Sequence, residues 1–316
     1  MKAVQSDPTG TKRGRPGPES VPTLIDDLLR RQGWMDGVAD ALQRVLGAFY
    51  GVLGAPGRAL KNLLHGTRIL GHPLHPAVTD IPLGAWAAGV AADWAAHVTK
   101  LVPSQAGDVA LAVGILAGLL AFASGYTDFH DTIGQERRYG LTHGVIMTTT
   151  IIVMLVSLGV RWLWGGEGSV LAAVISTAGL LLGFGGAFFG GHLTFGFGTQ
   201  VNHLAFAEGP KDYVRVGKSE DFPEGSLKLA DAGGMAVMVV RLDGQLNAIA
   251  DICTHAGGPL HEGKLDGDVV TCPWHGSRFC VRNGRALSGP ATFDEPVLQV
   301  REDGGEVEVK LARPLH

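Results

Sequence analysis

The strongest constraint on this chain is a run of four apolar stretches, about 81–98, 109–126, 141–160 and 170–189. A helix that crosses a bilayer needs roughly 20 mostly apolar residues, because every backbone polar group must be satisfied inside the helix. The first stretch is the weakest, since Asp93 falls within it; the other three are long and uncharged. Packing so many such runs into one segment of a soluble core is the less plausible alternative, so a four-helix transmembrane bundle is expected over 67–205.

Glycine spacing supports helices in close contact. Gly114 and Gly118, Gly179 and Gly183, and Gly186 and Gly190 are each four positions apart, which puts each pair on one helix face. The charges suggest an orientation. Arg58, Lys61 and Arg68 precede the first stretch and Arg137 and Arg138 lie between the second and third, whereas the other side offers Lys100 and Arg161. The positive-inside rule then predicts a multi-pass protein of the cell membrane with its N-terminus and C-terminal domain in the cytoplasm.

Ahead of the bundle, the segment 21–66 reads as amphipathic helix. Val38, Leu42, Val45, Phe49 and Val52 recur at helical spacing, a face that could lie on the membrane or pack against the soluble domain. Residues 1–20 are rich in Pro, Gly and Ser and read as a disordered tail, with the basic run Lys12, Arg13 and Arg15 inside it. Net charge is −4 and no basic patch is interleaved with aromatics, so nucleic acid is not an expected partner.

From Asp212 the pattern changes to short alternating segments such as 236–241, 246–249 and 297–300, separated by Asp243-Gly244 and Asp303-Gly304-Gly305. This predicts a small antiparallel β domain. Inside it, Cys253-Thr254-His255 and Cys272-Pro273-Trp274-His275 each offer a thiolate and an imidazole on a tight loop, with sixteen residues between His255 and Cys272. A Cys2His2 zinc site is the competing reading, but there the cysteines normally pair with each other and the histidines likewise.

The run CTHAGGPLHEGKLDGDVVTCPWHGSRF resembles the CxH…CxxH signature of the Rieske family. The resemblance covers 212–313 and implies an all-β domain holding a [2Fe–2S] cluster, two cysteines on one iron and two histidines on the other. It implies Cys253, His255, Cys272 and His275 as the ligands. Ser277 matches a serine that donates to a bridging sulfide, and Ser288-Gly289-Pro290 resembles the loop over the cluster. Phe279 stands where high-potential members have a tyrosine that donates to a cysteine sulfur. Gly258 and Trp274 stand where those members carry a disulfide, so these loops must be held by packing alone. Fewer donors to sulfur stabilise the reduced cluster less, which predicts a potential toward the low end of the roughly −150 to +300 mV Rieske range. Cys280 is read as an ordinary small side chain rather than a ligand.

Histidines also gather near the expected membrane ends: His72 and His75 before the first span, His130 and His143 around the second loop, and His192 and His203 at the close of the fourth. Gly71-His72-Pro73-Leu74-His75-Pro76 resembles the opening of an uncharacterised family of bacterial four-helix membrane domains, which implies a fold and a location but no activity. His72, His75, His143 and His192 are candidates for a second site that could bind haem, a non-haem metal or a quinone. Asp80, Asp128 and Asp131 could fix their tautomers. Ordinary hydrogen bonding at helix ends is the bland alternative. Three functions follow: a membrane-anchored carrier of single electrons between an unidentified donor and acceptor, a membrane oxidoreductase with a second centre, or a redox sensor on a structural anchor.

Overall fold

The computed structural model describes residues 21–100, 102–165 and 169–312, so the expected tail 1–20 lies outside the described residues. Three helices come first: α1 (Val21–Arg30), α2 (Trp34–Val52) and α3 (Gly54–His65). Most of the apolar stripe of α2 is not on the face it buries, although Leu42 packs against the buried core. Met35, Ala39 and Tyr50 are buried, while Val38, Val45, Phe49 and Val52 are exposed. Polar groups fix this orientation. Gln43 donates to the carbonyls of Phe129 and Thr132 at 2.9 Å each, and Arg138 donates to Asp36 and to the carbonyls of Leu29 and Arg30.

Four longer helices follow: α4 (Leu74–Thr99), α5 (Gln105–Phe129), α6 (Gly134–Val160) and α7 (Val170–Phe197). They run up and down in turn. Early α4 meets late α5 where His75 bonds the Ala121 carbonyl, and early α6 meets late α7 where His143 bonds that of Gly186. Among the described residues, three helical stretches are long and apolar enough to cross a membrane: Gln105–Phe129, Gly134–Leu163 and Val170–Phe197. The expected first span, within α4, falls short of that standard. It is 26 residues long but carries His75, Asp80, Pro82, Asp93 and His97.

The glycine faces meet their neighbours as the spacing suggests. A Cβ on Gly114 would lie 2.4 Å from the Trp86 ring, and one on Gly186 would lie 2.4 Å from Met147 Sδ. Trp86, Leu111, Ile115, Ile151 and Met154 form the centre of the bundle. At its far end Arg161 is buried with Asp93 and also reaches the half-buried Asp108, donating at 2.6 and 3.0 Å. Arg161, Arg137 and Arg138, three of the charges on which the orientation rests, are therefore held in ion pairs.

The remaining chain is antiparallel β structure in two sheets. One has the strand order β1-β10-β9-β4-β3-β2 and the other β5-β6-β7-β8. Their ranges are β1 Val214–Lys218, β2 Lys228–Ala232, β3 Met235–Leu242, β4 Gln245–Ala250, β5 Lys264–Asp266, β6 Val269–Thr271, β7 Arg278–Cys280, β8 Ala286–Ser288, β9 Val297–Asp303 and β10 Glu306–Leu311. The expected segments fall in β3, β4 and β9. Met238, Val240, Ile249, Leu260, Val270 and Phe279 are buried in one core that the two sheets share. The loops after β4, β6 and β8 gather at one end.

Candidate iron–sulfur centre

Two of those loops have the same backbone design. Cys253 N donates to the Gly258 carbonyl (2.9 Å) and Gly257 N to the Cys253 carbonyl (2.8 Å). Cys272 N donates to the Ser277 carbonyl (2.8 Å) and Gly276 N to the Cys272 carbonyl (3.2 Å). In each loop the residue four after the cysteine is a glycine in the left-handed region, with φ +80° at Gly257 and +76° at Gly276. That conformation is nearly free for glycine and costly for other residues. It turns the chain back so that each cysteine and its following histidine face inward.

The four nominated side chains converge. Cys253, Cys272 and His255 are buried, and the His275 side chain is 5% exposed. The rings of His255 and His275 lie 4.9 Å apart and nearly perpendicular. His255 Nδ1 is buried with no hydrogen-bond partner. An orphaned buried ring nitrogen is costly unless it has a ligand to bind, so the donor set of two buried cysteines and two paired histidines fits a metal cluster. Cys280 lies apart from this group in β7, with its thiol 3.9 Å from Asp268.

Packing takes the place of the missing disulfide. A Cβ on Gly258 would lie 3.0 Å from the Trp274 ring and 2.8 Å from Cys272 Sγ, so the indole of one loop closes over the glycine of the other. Ser277 is fully buried, and its hydroxyl accepts from Ala291 N at 3.0 Å, which leaves its own proton free to donate elsewhere. Phe279 is fully buried. Glu295 receives the Thr254 N–H at 2.7 Å, and its burial raises its pKa well above the carboxylate range.

The helices cover this end of the β domain. The His203 N–H donates to the Thr254 carbonyl (3.1 Å), and Thr67 Oγ1 donates to the Ala291 carbonyl (2.8 Å). Asn62 Oδ1 accepts from Ser288 Oγ and Gly289 N. Beneath Gly289 the His65 ring is so close that a Cβ there would lie 2.7 Å from it. Pro290 follows in this loop, so the segment expected to cover the cluster is itself covered by α3. Glu136, in the first turn of α6, points its Oε2 at His275 Nε2 across 3.5 Å while its Oε1 accepts from Thr199 Oγ1 at 2.6 Å.

His65 lies at the centre of a polar cluster. Its Nδ1 is 2.7 Å from Asp128 and its Nε2 is 3.0 Å from Asp131, which is also held by Lys61 and His130. Burial opposes protonation of His65, but the two carboxylates outweigh it and hold its pKa above the ordinary value. Burial works against ionisation of Asp131 too, but His130, His65 and Lys61 keep its pKa far below the usual range. Asp128 and Asp131 therefore do partner histidines, but His65 and His130 rather than the four candidates. Sequence reading passed over His65 and Glu136. The first lies in an amphipathic helix, and the second reads as an ordinary helix-start acid.

The four membrane candidates do not converge. The structure brings His75 and His143 together, with ring centres 6.0 Å apart. His72 bonds the carbonyl of Pro73, and His192 stacks on Tyr139 at 4.5 Å. His72, in the bend before α4, and His192, in α7, are thus engaged with other groups.

A family model described as a Rieske [2Fe-2S] domain matches residues 212–300. Ferredoxin CarAc of Metapseudomonas resinovorans is 38% identical over 98 residues, which are 31% of this chain and 92% of that protein. The chain belongs to the Rieske [2Fe–2S] family. A second family model, described as "Predicted membrane protein (DUF2231)", matches residues 71–203. The Rieske domain is also similar to the ferredoxin component of biphenyl 2,3-dioxygenase from Rhodococcus jostii (34% identity, 31% of this chain and 92% of that one). It is similar to the cytochrome b6-f complex iron-sulfur subunit of Chlorobaculum tepidum as well (32% identity, 31% and 54%). A Rieske domain carries a [2Fe–2S] cluster and transfers electrons.

Proposed function

We propose that this protein is a membrane-anchored carrier of single electrons, with its cluster facing the membrane domain rather than open solvent. The observation that carries the reading is the burial of the imidazole end. The His255 and His275 side chains are buried, Glu136 faces His275 and is held by Thr199, and His203, Asn62 and His65 lie against the neighbouring residues Thr254, Ser288 and Gly289.

In this reading Cys253 and Cys272 hold one iron and His255 and His275 the other, and the bound cluster supplies a one-electron donor and acceptor. Trp274 over Gly258 excludes water, Ser277 presents a hydroxyl, and Glu136 fixes the outer edge of His275. The ferredoxin from Rhodococcus jostii is a component of a dioxygenase, so a reductase on one side and an oxidising partner on the other are the expected roles here. The donor or acceptor then meets the membrane domain or an edge of the β domain, not the histidine tips.

The bundle 67–205 crosses the membrane four times, Asp93 of α4 being buried against Arg161 and Ser176. The segment 21–66 lies at the membrane surface with Val38, Val45, Phe49 and Val52 in lipid. The Rieske domain, 212–313, lies on the cytoplasmic face. An EPR-monitored redox titration of the full chain in nanodiscs tests the carrier role. A reversible one-electron Rieske signal is expected; a signal that cannot be cycled would contradict it.

A further inference from the structure

The bundle contains a cavity of about 430 Å³ that electron transfer by the Rieske domain does not use. This falls within the roughly 300–1,000 Å³ of small-molecule sites. Its wall is mostly apolar and aromatic, from Leu83, Trp86, Phe122, Tyr126 and Phe129, and His75 and His143 also line it. Phe122 and Phe195 on its flank are 41% and 90% exposed, so it is approached from the outer, lipid-facing side of the helices.

The two imidazoles carry the chemistry. His75 Nδ1 is 2.9 Å from the Ala121 carbonyl, and His143 Nδ1 is 2.8 Å from the Gly186 carbonyl. A carbonyl can only accept, so each Nδ1 bears the proton. In the neutral ring each Nε2 is then an acceptor, and neither has a hydrogen bond among the described residues. The rings are held where they are by Gly125 and Gly190, at which a Cβ would lie 2.7 and 2.9 Å from Cε1 of His75 and His143. Two fixed acceptors in an aromatic wall call for a flat ring that donates hydrogen bonds. Asp80 and Asp128, also on the wall, disfavour an anion. His65 already holds Asp128, so a metal ion here would find two imidazoles and at most one carboxylate, short of a closed site.

We propose that this cavity binds a neutral aromatic ring bearing hydroxyl groups, of the hydroquinone type, with His75 and His143 accepting its hydroxyl protons. The site lies next to the cluster end. Thr199 lines the cavity and donates to Glu136, which faces His275; Asp128 lines it and holds His65 under Gly289. The same ring chemistry occurs in lipid-soluble hydroquinones and in small phenols, and the two differ by an apolar tail.

Calorimetric titration of the full chain in nanodiscs under argon, with decylubiquinol and with tail-less trimethylhydroquinone, tests this. Saturable binding is expected, weakened about tenfold by His75→Ala and by His143→Ala, as loss of one hydrogen bond predicts. Gly191→Leu should abolish it by filling the cavity, since no atom lies nearer than 4.0 Å to a Cβ there. An unchanged helical circular-dichroism spectrum and thermal midpoint show that the bundle of each variant is folded. Tighter binding of decylubiquinol assigns a membrane hydroquinone, and equal binding assigns a small phenol; both support the site. No saturable binding, or binding that the histidine variants leave unchanged, overturns it. The one-electron titration of the cluster is unaffected by that failure, so the two readings fall separately.

Discussion

Glu136 and His275 face each other across 3.5 Å, one from the start of a membrane helix and the other from a cluster loop. They bring a carboxylate from the bundle to the outer nitrogen of a histidine in the Rieske domain. A negative charge there favours the oxidised cluster, because reduction adds a further negative charge nearby. Glu136→Gln should raise the midpoint potential by tens of millivolts. Glu136→Asp should recover part of the shift. The EPR-monitored titration reads both, and an unchanged potential in Glu136→Gln would show that the pair has no electrostatic role.

The contacts of α3 and of Thr67 just beyond it with the Pro290 loop should contribute to stability. Thr67 is fully buried, and its replacement by Val leaves the Ala291 carbonyl without its donor. The cost expected is about 1–3 kcal/mol. Limited proteolysis of the linker near Gly209 should speed up in Thr67→Val and in Asn62→Ala, while the isolated β-domain fragments keep their cluster absorbance.

His65 gives the docking a pH dependence. Its folded pKa is raised, so its contribution is complete below the unfolded histidine value of about 6.5 and is lost as pH rises through the folded value. Asp131 acts in the opposite direction: its pKa is depressed, so its contribution is present above the unfolded aspartate value and disappears in acid. Asp128, Lys61 and His130 complete the surroundings. Thermal stability should therefore fall as pH rises above about 6.5, and His65→Ala should remove that slope at a cost on the order of 3 kcal/mol. A wild-type profile that stays flat through this range would refute the assignment.

The Gly258–Trp274 contact leaves no room for a methyl group. Gly258→Ala brings a Cβ within 2.8 Å of Cys272 Sγ and 3.0 Å of the indole. A loss of about 1–3 kcal/mol from overpacking is expected, with reduced iron content per chain on elemental analysis. Trp274→Ala in the same background should relieve the clash with the ring but admit water to the centre.

The local rules of the chain were the ones that could be read from sequence. The CxH and CxxH spacing marked the four inward side chains, the β alternation marked β3, β4 and β9, and apolar length marked α5, α6 and α7. The associations between distant segments were not readable. Hydropathy cannot show that α2 buries Met35, Ala39 and Tyr50 and leaves Val38, Val45, Phe49 and Val52 outside, because polar bonds from Gln43 and Arg138 choose the face. Nor can it separate His75 and His143, which share a cavity wall, from His72 and His192, which do not. Glu136 and His65 acquire their roles only when the β domain folds back onto the helices.

The account rests on one metal centre, and EPR of the dithionite-reduced full chain, joined to iron and acid-labile sulfide analysis, tests it most directly. It predicts a Rieske-type rhombic signal with iron and sulfide in equal amounts, lost in Cys253→Ser, Cys272→Ser, His255→Ala and His275→Ala and retained in Cys280→Ser. Bound zinc in place of iron and sulfide, or a signal that survives those four ligand substitutions, would contradict it.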